Sequence, residues 1–288
     1  VERETEPSAA LEAAYNPRVA VPDAETYLAA YAARAEAARG RLGGRLDIAY
    51  GDAPGERLDV FAPPGAEGAP IQVFIHGGYW RALDKSDFSH LAEPLVAAGA
   101  CAVMVGYDLC PAVTLDTIVR EVRSAIRWVY ENAASLGGDP ARLFVSGHSA
   151  GAHLAVMAMA HDWAAEGVPG DVIKGVFAVS GVYELAPVTR ISVNAEIGLD
   201  ADCARRNSPT LHPPGPVAPL AISVGDDEPR EWIAQSEDLY AACRKRGVAC
   251  DLVRVPGVHH FTIVDELARG ESALFRALAD QMGLAARR

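Results

Sequence analysis

From Ile71 onward the chain repeats one pattern, a short strand-like run followed by a segment of helical periodicity. The runs are Ile71–Ile75, Ala100–Val105, Leu143–Val145, Val172–Val179, Leu220–Val224 and Cys250–Val255. Helices are expected near 87–98, 115–135, 150–161, 231–246 and 262–284. A run such as Ile71–Ile75 is apolar at almost every position, as strands buried on both faces are. Repeated β-α units of this kind predict an open, mostly parallel sheet with helices on both faces. Two earlier β-type runs, Arg45–Tyr50 and Arg57–Phe61, flank the turn Gly51–Gly55 and give the sheet an antiparallel start. The total is eight strands, and one domain over residues 1–288 accommodates them.

Two segments depart from this rhythm. Residues 1–22 carry three prolines and read as a surface arm, after which Asp23 is placed to cap a helix from Ala24 to about Arg39 that stops at Gly40. Residues 1–44 are thus an N-terminal arm and helix. The proline-rich stretch 181–215 reads as a cap-like insertion over the C-terminal edge of the sheet, where open α/β folds bind ligands.

Composition narrows the function classes. The net charge of −12, with no Lys/Arg-rich run, argues against a nucleic-acid partner. No stretch approaches the apolar length of a membrane span, and Val1–Glu6 is charged where a signal peptide needs an apolar core. Five scattered cysteines make neither a disulfide framework nor a C-x-x-C zinc pair, so no metal site is expected. A reduced, cytoplasmic protein acting on a small molecule is the expectation. The sequence allows a homo-oligomer without specifying one.

The sharpest motif is Gly147-His148-Ser149-Ala150-Gly151, a G-x-S-x-G between the strand Leu143–Val145 and the apolar helix that begins at Ala152. In that setting a tight strand-to-helix turn presents the Ser149 hydroxyl as a nucleophile, and the glycines keep side chains out of neighbouring backbone. A second motif, His76-Gly77-Gly78-Tyr79-Trp80, follows strand Ile71–Ile75. Acyl transfer builds negative charge on the former carbonyl oxygen, and N–H groups in a glycine loop can approach it. The donors expected are the N–H groups of Gly78, Tyr79 and Ala150. Tyr79 and Trp80 could pack an aryl ring, although such aromatics are as often core residues. His76 and His148 are expected to orient their loops.

A serine nucleophile needs a base and an acid in the chain order Ser, acid, His. Only His259 and His260 come late enough to be the base. The loop after Leu220–Val224 offers Asp226, Asp227 and Glu228, and sequence physics does not choose among them.

These motifs, with the closing HHFTIVDEL, resemble α/β-hydrolases of the arylformamidase (kynurenine formamidase) group, which borders the hormone-sensitive-lipase-like esterases. The resemblance extends to Tyr15-Asn16-Pro17-Arg18, Leu58-Asp59-Val60-Phe61 and Tyr107-Asp108-Leu109-Cys110-Pro111. It implies an α/β-hydrolase fold, with Ser149 as nucleophile and the HGGYW backbone as oxyanion loop. The family's base is the His directly before Phe, which matches His260. Its acid stands three positions after the loop glycine, upstream of a Gln-Ser pair; Gln235-Ser236 sets that frame and puts Glu228 there. Many relatives carry Asp at this position, a departure within the allowed chemistry; a longer Glu needs a slightly withdrawn backbone to reach the same imidazole, which keeps Asp227 as an alternative. The implied reaction is hydrolysis of N-formyl aryl amides through an acyl-enzyme, with no cofactor. A carboxylesterase for small acyl or aryl esters is the alternative, and a non-catalytic binding relative the remote one.

Overall fold

The computed structural model describes residues 8–284, so the charged run Val1–Glu6 lies outside the described residues. The strands are β1 (Arg45–Ala49), β2 (Arg57–Phe61), β3 (Ala69–Ile75), β4 (Cys101–Val105), β5 (Gly138–His148), β6 (Val176–Val179), β7 (Leu220–Gly225) and β8 (Cys250–Val255). They form one sheet in the order β1-β2-β4-β3-β5-β6-β7-β8. Strand β2 is antiparallel to both its neighbours, and β3 to β8 run parallel. The α/β-hydrolase fold and its mostly parallel eight-stranded sheet are as expected.

Alternation along each strand builds two cores. Ile71, Val73 and Ile75 join Val103, Val105 and Val145 on one face, under α5 (Leu115–Asn132), α6 (Ala150–Met159) and α9 (Arg230–Lys245). Phe74, Met104, Phe144 and Phe177 point to the other face. There they meet α3 (Ala24–Leu42), α4 (Ala92–Ala97), α10 (Thr262–Ala268) and α11 (Ala273–Gln281). No helix among the described residues is long and apolar enough to cross a membrane.

Three local expectations need correction. Helix α3 runs through Gly40 to Leu42 and ends where Gly43 turns left-handed at φ 61, its N–H returning to the Arg39 carbonyl. An interior glycine costs only about 1 kcal/mol, and Arg39 is anchored to the Ser86 carbonyl and Ser89. The expected helix near 87–98 divides into a 3-10 turn, Lys85–Leu91, and α4. Pro94 lacks an N–H to give, which is tolerated only in a first α-turn. The strand expected over Val172–Val179 begins at Val176.

The arm contains two short helices, α1 (Ala9–Tyr15) and α2 (Pro17–Ala20), capped by Ser8 and Asn16. The segment 181–215 carries a 3-10 turn, Pro187–Arg190, then α7 (Asn194–Ile197) and α8 (Ala201–Arg206). Both segments meet the C-terminal ends of the parallel strands. Strand order reverses at β4-β3-β5, and a ligand crevice opens at such a reversal.

Candidate active site

Ser149 sits between β5 and α6 with φ 58 and ψ −121, a conformation that side chains rarely adopt. The turn is tight enough to exclude Cβ atoms on either side. One added at Gly147 would stand 2.2 Å from the Gly151 carbonyl oxygen, and one at Gly151 would stand 2.0 Å from that of Ile75. The strain lifts the Ser149 hydroxyl into a cavity at the sheet's C-terminal edge.

His260 and Glu228 meet it there. His260 Nε2 lies 3.0 Å from Ser149 Oγ, and His260 Nδ1 lies 2.8 Å from Glu228 Oε2. A carboxylate only accepts, so the proton sits on Nδ1 and Nε2 is free to receive one from the serine. Glu228 is withdrawn into the start of its own loop. Its Oε1 accepts from the Gly225 N–H at 2.8 Å and from the Ser180 hydroxyl at 2.5 Å. Three donors therefore fix a side chain with no exposure to solvent. Asp226 instead pairs with Arg254 at 2.7 Å, and Asp227 faces solvent. His259 turns away, its Nδ1 accepting from the Phe261 N–H and its ring edge-on to Tyr27.

The imidazole of His260 is held on further sides. The Trp232 ring stands edge-on at 4.8 Å, and the Trp232 Nε1–H donates to the Ser180 carbonyl at 2.8 Å. His148 Nε2–H donates to the His260 carbonyl at 2.8 Å. Burial, then the neighbouring His260, pushes the His148 pKa well below the usual histidine value, so it stays neutral and acts as a fixed donor. His76 plays the matching part in the other loop. Its Nδ1–H donates to the Gly77 carbonyl at 2.7 Å and its ring stacks on Tyr107 at 4.3 Å.

The chain from Gly78 to Trp80 has positive φ at each residue, 115, 50 and 55. A side chain at Gly78 would strike the Ala82 carbonyl oxygen at 2.0 Å. Among the described residues, the N–H groups of Gly78, Tyr79 and Ala150 have no protein acceptor. Ala150 opens α6, so its N–H also lies at the positive end of that helix.

Of the two aromatics, Tyr79 lines the cavity and donates its hydroxyl to the Tyr15 carbonyl. Trp80 does not line it. Its ring is wholly buried, edge-on to His153 at 5.0 Å, so it is a core residue rather than a wall for substrate.

Several residues at the site were given no role by the sequence, although Asn16, Pro17 and Arg18 fall within the stretch that carries the family resemblance. Ser180, at the end of β6 with φ 49, reaches the acid only because β6 lies between β5 and β7. Asn16, Pro17 and Arg18 bring the arm to the cavity wall, and Val193 brings the 181–215 segment there. Arg81, just past the Gly78–Trp80 turn, lines it as well. The cavity, with the open solvent at its mouth, spans about 540 Å³.

Comparison with known proteins agrees with this architecture. Residues 58–242 match the BD-FAE family. The kynurenine formamidase of Salmo salar is 36% identical over 255 residues, which are 86% of this chain and 85% of that one. A solved structure from Silicibacter sp. TM1040 superposes with a TM-score of 0.79 at 32% identity, covering 92% of this chain and 97% of that one. An esterase from Pyrobaculum calidifontis superposes at 0.73 with 21% identity, covering 96% and 99%, a likeness of fold.

Proposed function

Because this chain belongs to the BD-FAE family, as an arylformamidase-like α/β-hydrolase bordering the esterases, we propose that it hydrolyses N-formyl aryl amides of the N-formylkynurenine type. The single observation that carries the mechanism is the relay Ser149–His260–Glu228, with contacts of 3.0 and 2.8 Å at the floor of one cavity.

His260 Nε2 takes the Ser149 proton as Oγ attacks the formyl carbon. Glu228 stabilises the imidazolium that results. Charge on the former carbonyl oxygen falls to the N–H groups of Gly78, Tyr79 and Ala150, each worth on the order of 10²–10³ in rate in comparable sites. His260 then protonates the departing aryl amine, leaving formyl-Ser149. Water, deprotonated by the same imidazole, releases formate and restores the serine. Tyr31, Phe88 and Phe261 line the cavity beside Ser149 and supply apolar surface for an aryl ring.

The same groups would cleave a small aryl or acyl ester, whose leaving group departs more easily. That second reading rests on the site chemistry alone, since the same nucleophile, base and N–H donors act on either carbonyl. One domain spanning the described chain, acting in the cytoplasm, completes the proposal. Five cysteines, all free and buried, fit a reducing compartment.

The test is a paired assay of N-formylkynurenine against p-nitrophenyl acetate and butyrate. A kcat/KM higher for the formamide supports the formamidase. The reverse order selects the esterase, and no turnover of any of the three refutes both.

A further inference from the structure

We propose that Arg18 and Arg81 make the catalytic cavity selective for a substrate whose aryl group carries a carboxylate. The inference rests on the reading of Ser149 as the nucleophile of an aryl-substrate hydrolase and goes on to the charge of that substrate.

The protein as a whole is acidic, with a net charge of −12. Its catalytic cavity is the opposite. Apart from the histidines, the ionisable side chains with charge that line it are Arg18 and Arg81, and among the described residues no Asp or Glu lines it. Each arginine already shares its charge with a glutamate, Glu25 or Glu196, so what the wall offers an anion is guanidinium N–H groups rather than a net field.

Arg81 belongs to the turn that presents the oxyanion donors, since its own N–H and that of Ala82 both return to the Gly78 carbonyl. Its side chain is only 20% exposed. The guanidinium gives one corner, Nη1, to Glu196 of α7 at 2.6 Å. Its Nε–H is buried and has no acceptor among the described residues. A guanidinium carries five donors in a planar fork. It is the part of the fork left exposed that lines the cavity, and a carboxylate is the group that matches its geometry. Arg18 pairs with Glu25 at 2.9 Å on the outer side of the arm and is itself about two-fifths exposed. Glu196 and Glu25 hold the two arginines from outside the cavity and do not line it.

A ring bearing a carboxylate meets both features, apolar walls at Tyr31, Phe88 and Phe261 and guanidinium groups beside them.

Two matched pairs test this: 3-formamidobenzoate with 3-formamidobenzamide, and 3-acetoxybenzoate with 3-acetoxybenzamide. In the wild type the carboxylate member of a hydrolysed pair has kcat/KM roughly 10- to 100-fold above its amide, the worth of one or two charge-assisted hydrogen bonds, with the difference in KM. Arg81→Met brings that ratio down by about tenfold, Arg81→Lys keeps part of it, and Arg18→Met lowers it less. Reading the ratio cancels any general loss of activity in a variant. A wild-type ratio at or below one overturns the proposal, as does a ratio unchanged in both methionine variants. If the formamides are inert while the acetoxy pair turns over, the formamidase reading falls and the carboxylate preference is still measured. Calorimetry with 3-aminobenzoate and 3-aminobenzamide reads the same preference without turnover, and equal affinities overturn it.

Discussion

Replacing Glu228 with Gln changes one atom and sets donors against donors. In the native site Oε2 faces His260 Nδ1, while Oε1 faces the Gly225 N–H and the Ser180 hydroxyl. The Gly225 N–H can only donate, so the glutamine is best satisfied with its oxygen on that side. Its NH2 then confronts His260 Nδ1 and drives the proton to Nε2, the atom that must accept from Ser149. The opposite orientation restores the tautomer but leaves the backbone donor unpaired, at about 1–3 kcal/mol, and still provides no charge for the imidazolium. In another triad the comparable exchange cost about 10⁴ in kcat, or about 5.5 kcal/mol. Glu228→Gln is therefore expected to lower kcat by 10³- to 10⁴-fold with KM little changed. Glu228→Asp keeps the charge but shortens the reach by a methylene, and a misplacement of about 1 Å predicts a loss near 10²-fold. Stopped-flow or steady-state kinetics on one good aryl ester, with circular dichroism to confirm folding, measures both. Glu228→Gln within tenfold of wild type, with collapse at Asp227→Asn, would refute the reasoning.

Further outcomes follow from the same contacts. Ser149→Ala and His260→Ala should each lower kcat by on the order of 10⁴–10⁶, whereas His259→Ala should be mild, because its ring caps backbone N–H groups away from Ser149; equal losses at the two histidines count against the assignment. Lys85 is buried between Asp59, itself 1% exposed, and Asp47. Lys85→Met should cost about 3–5 kcal/mol by leaving the Asp59 charge unpaired, read as a fall in urea midpoint, and an unchanged midpoint contradicts it. Burial lowers His90 to about 3 and His153 to about 4, and holds His148 well below its usual value. The unfolded chain then binds more protons than the folded one below about pH 6.5, so stability is full above that pH and falls as pH drops, by up to about 4 kcal/mol per unit for the three together. Thermal melts at pH 7.5 and 5.5 check this, and equal midpoints would contradict it.

What could be read in the sequence is what local geometry decides. G-x-S-x-G is legible because the clash that demands glycine at 147 and 151 involves backbone within the same turn and the adjacent strand β3. The parallel sheet is legible because each crossover obeys one handedness whatever its side chains. Strand ends then bring Ser149, Gly225 and the 256–260 loop to one edge without further information. Between Asp226, Asp227 and Glu228, by contrast, nothing local decides. The choice is made by Ser180 on a neighbouring strand, whose hydroxyl meets the withdrawn carboxylate across 48 positions of sequence.

The missed features share that long range. Trp80 has the composition of a substrate wall, but a ring's destination depends on which side of the turn the backbone leaves. With φ 55 following φ 50, Trp80 turns inward onto His153 while Tyr79 stays on the cavity wall. The arm shows little periodicity because its short helices are held by others: the Tyr79 hydroxyl donates to the Tyr15 carbonyl, and Glu12 accepts from the Ser192 N–H of the 181–215 segment. The two segments that looked least structured thus brace each other across the cavity mouth. Chemistry resides in the sheet edge, where the sequence is most regular. On the proposed reading selectivity falls to these irregular segments, where Arg18, Val193 and the Glu196 paired with Arg81 all lie. Substitutions there should alter KM and substrate preference before they alter the chemical step, because none of those side chains touches the Ser149–His260–Glu228 relay.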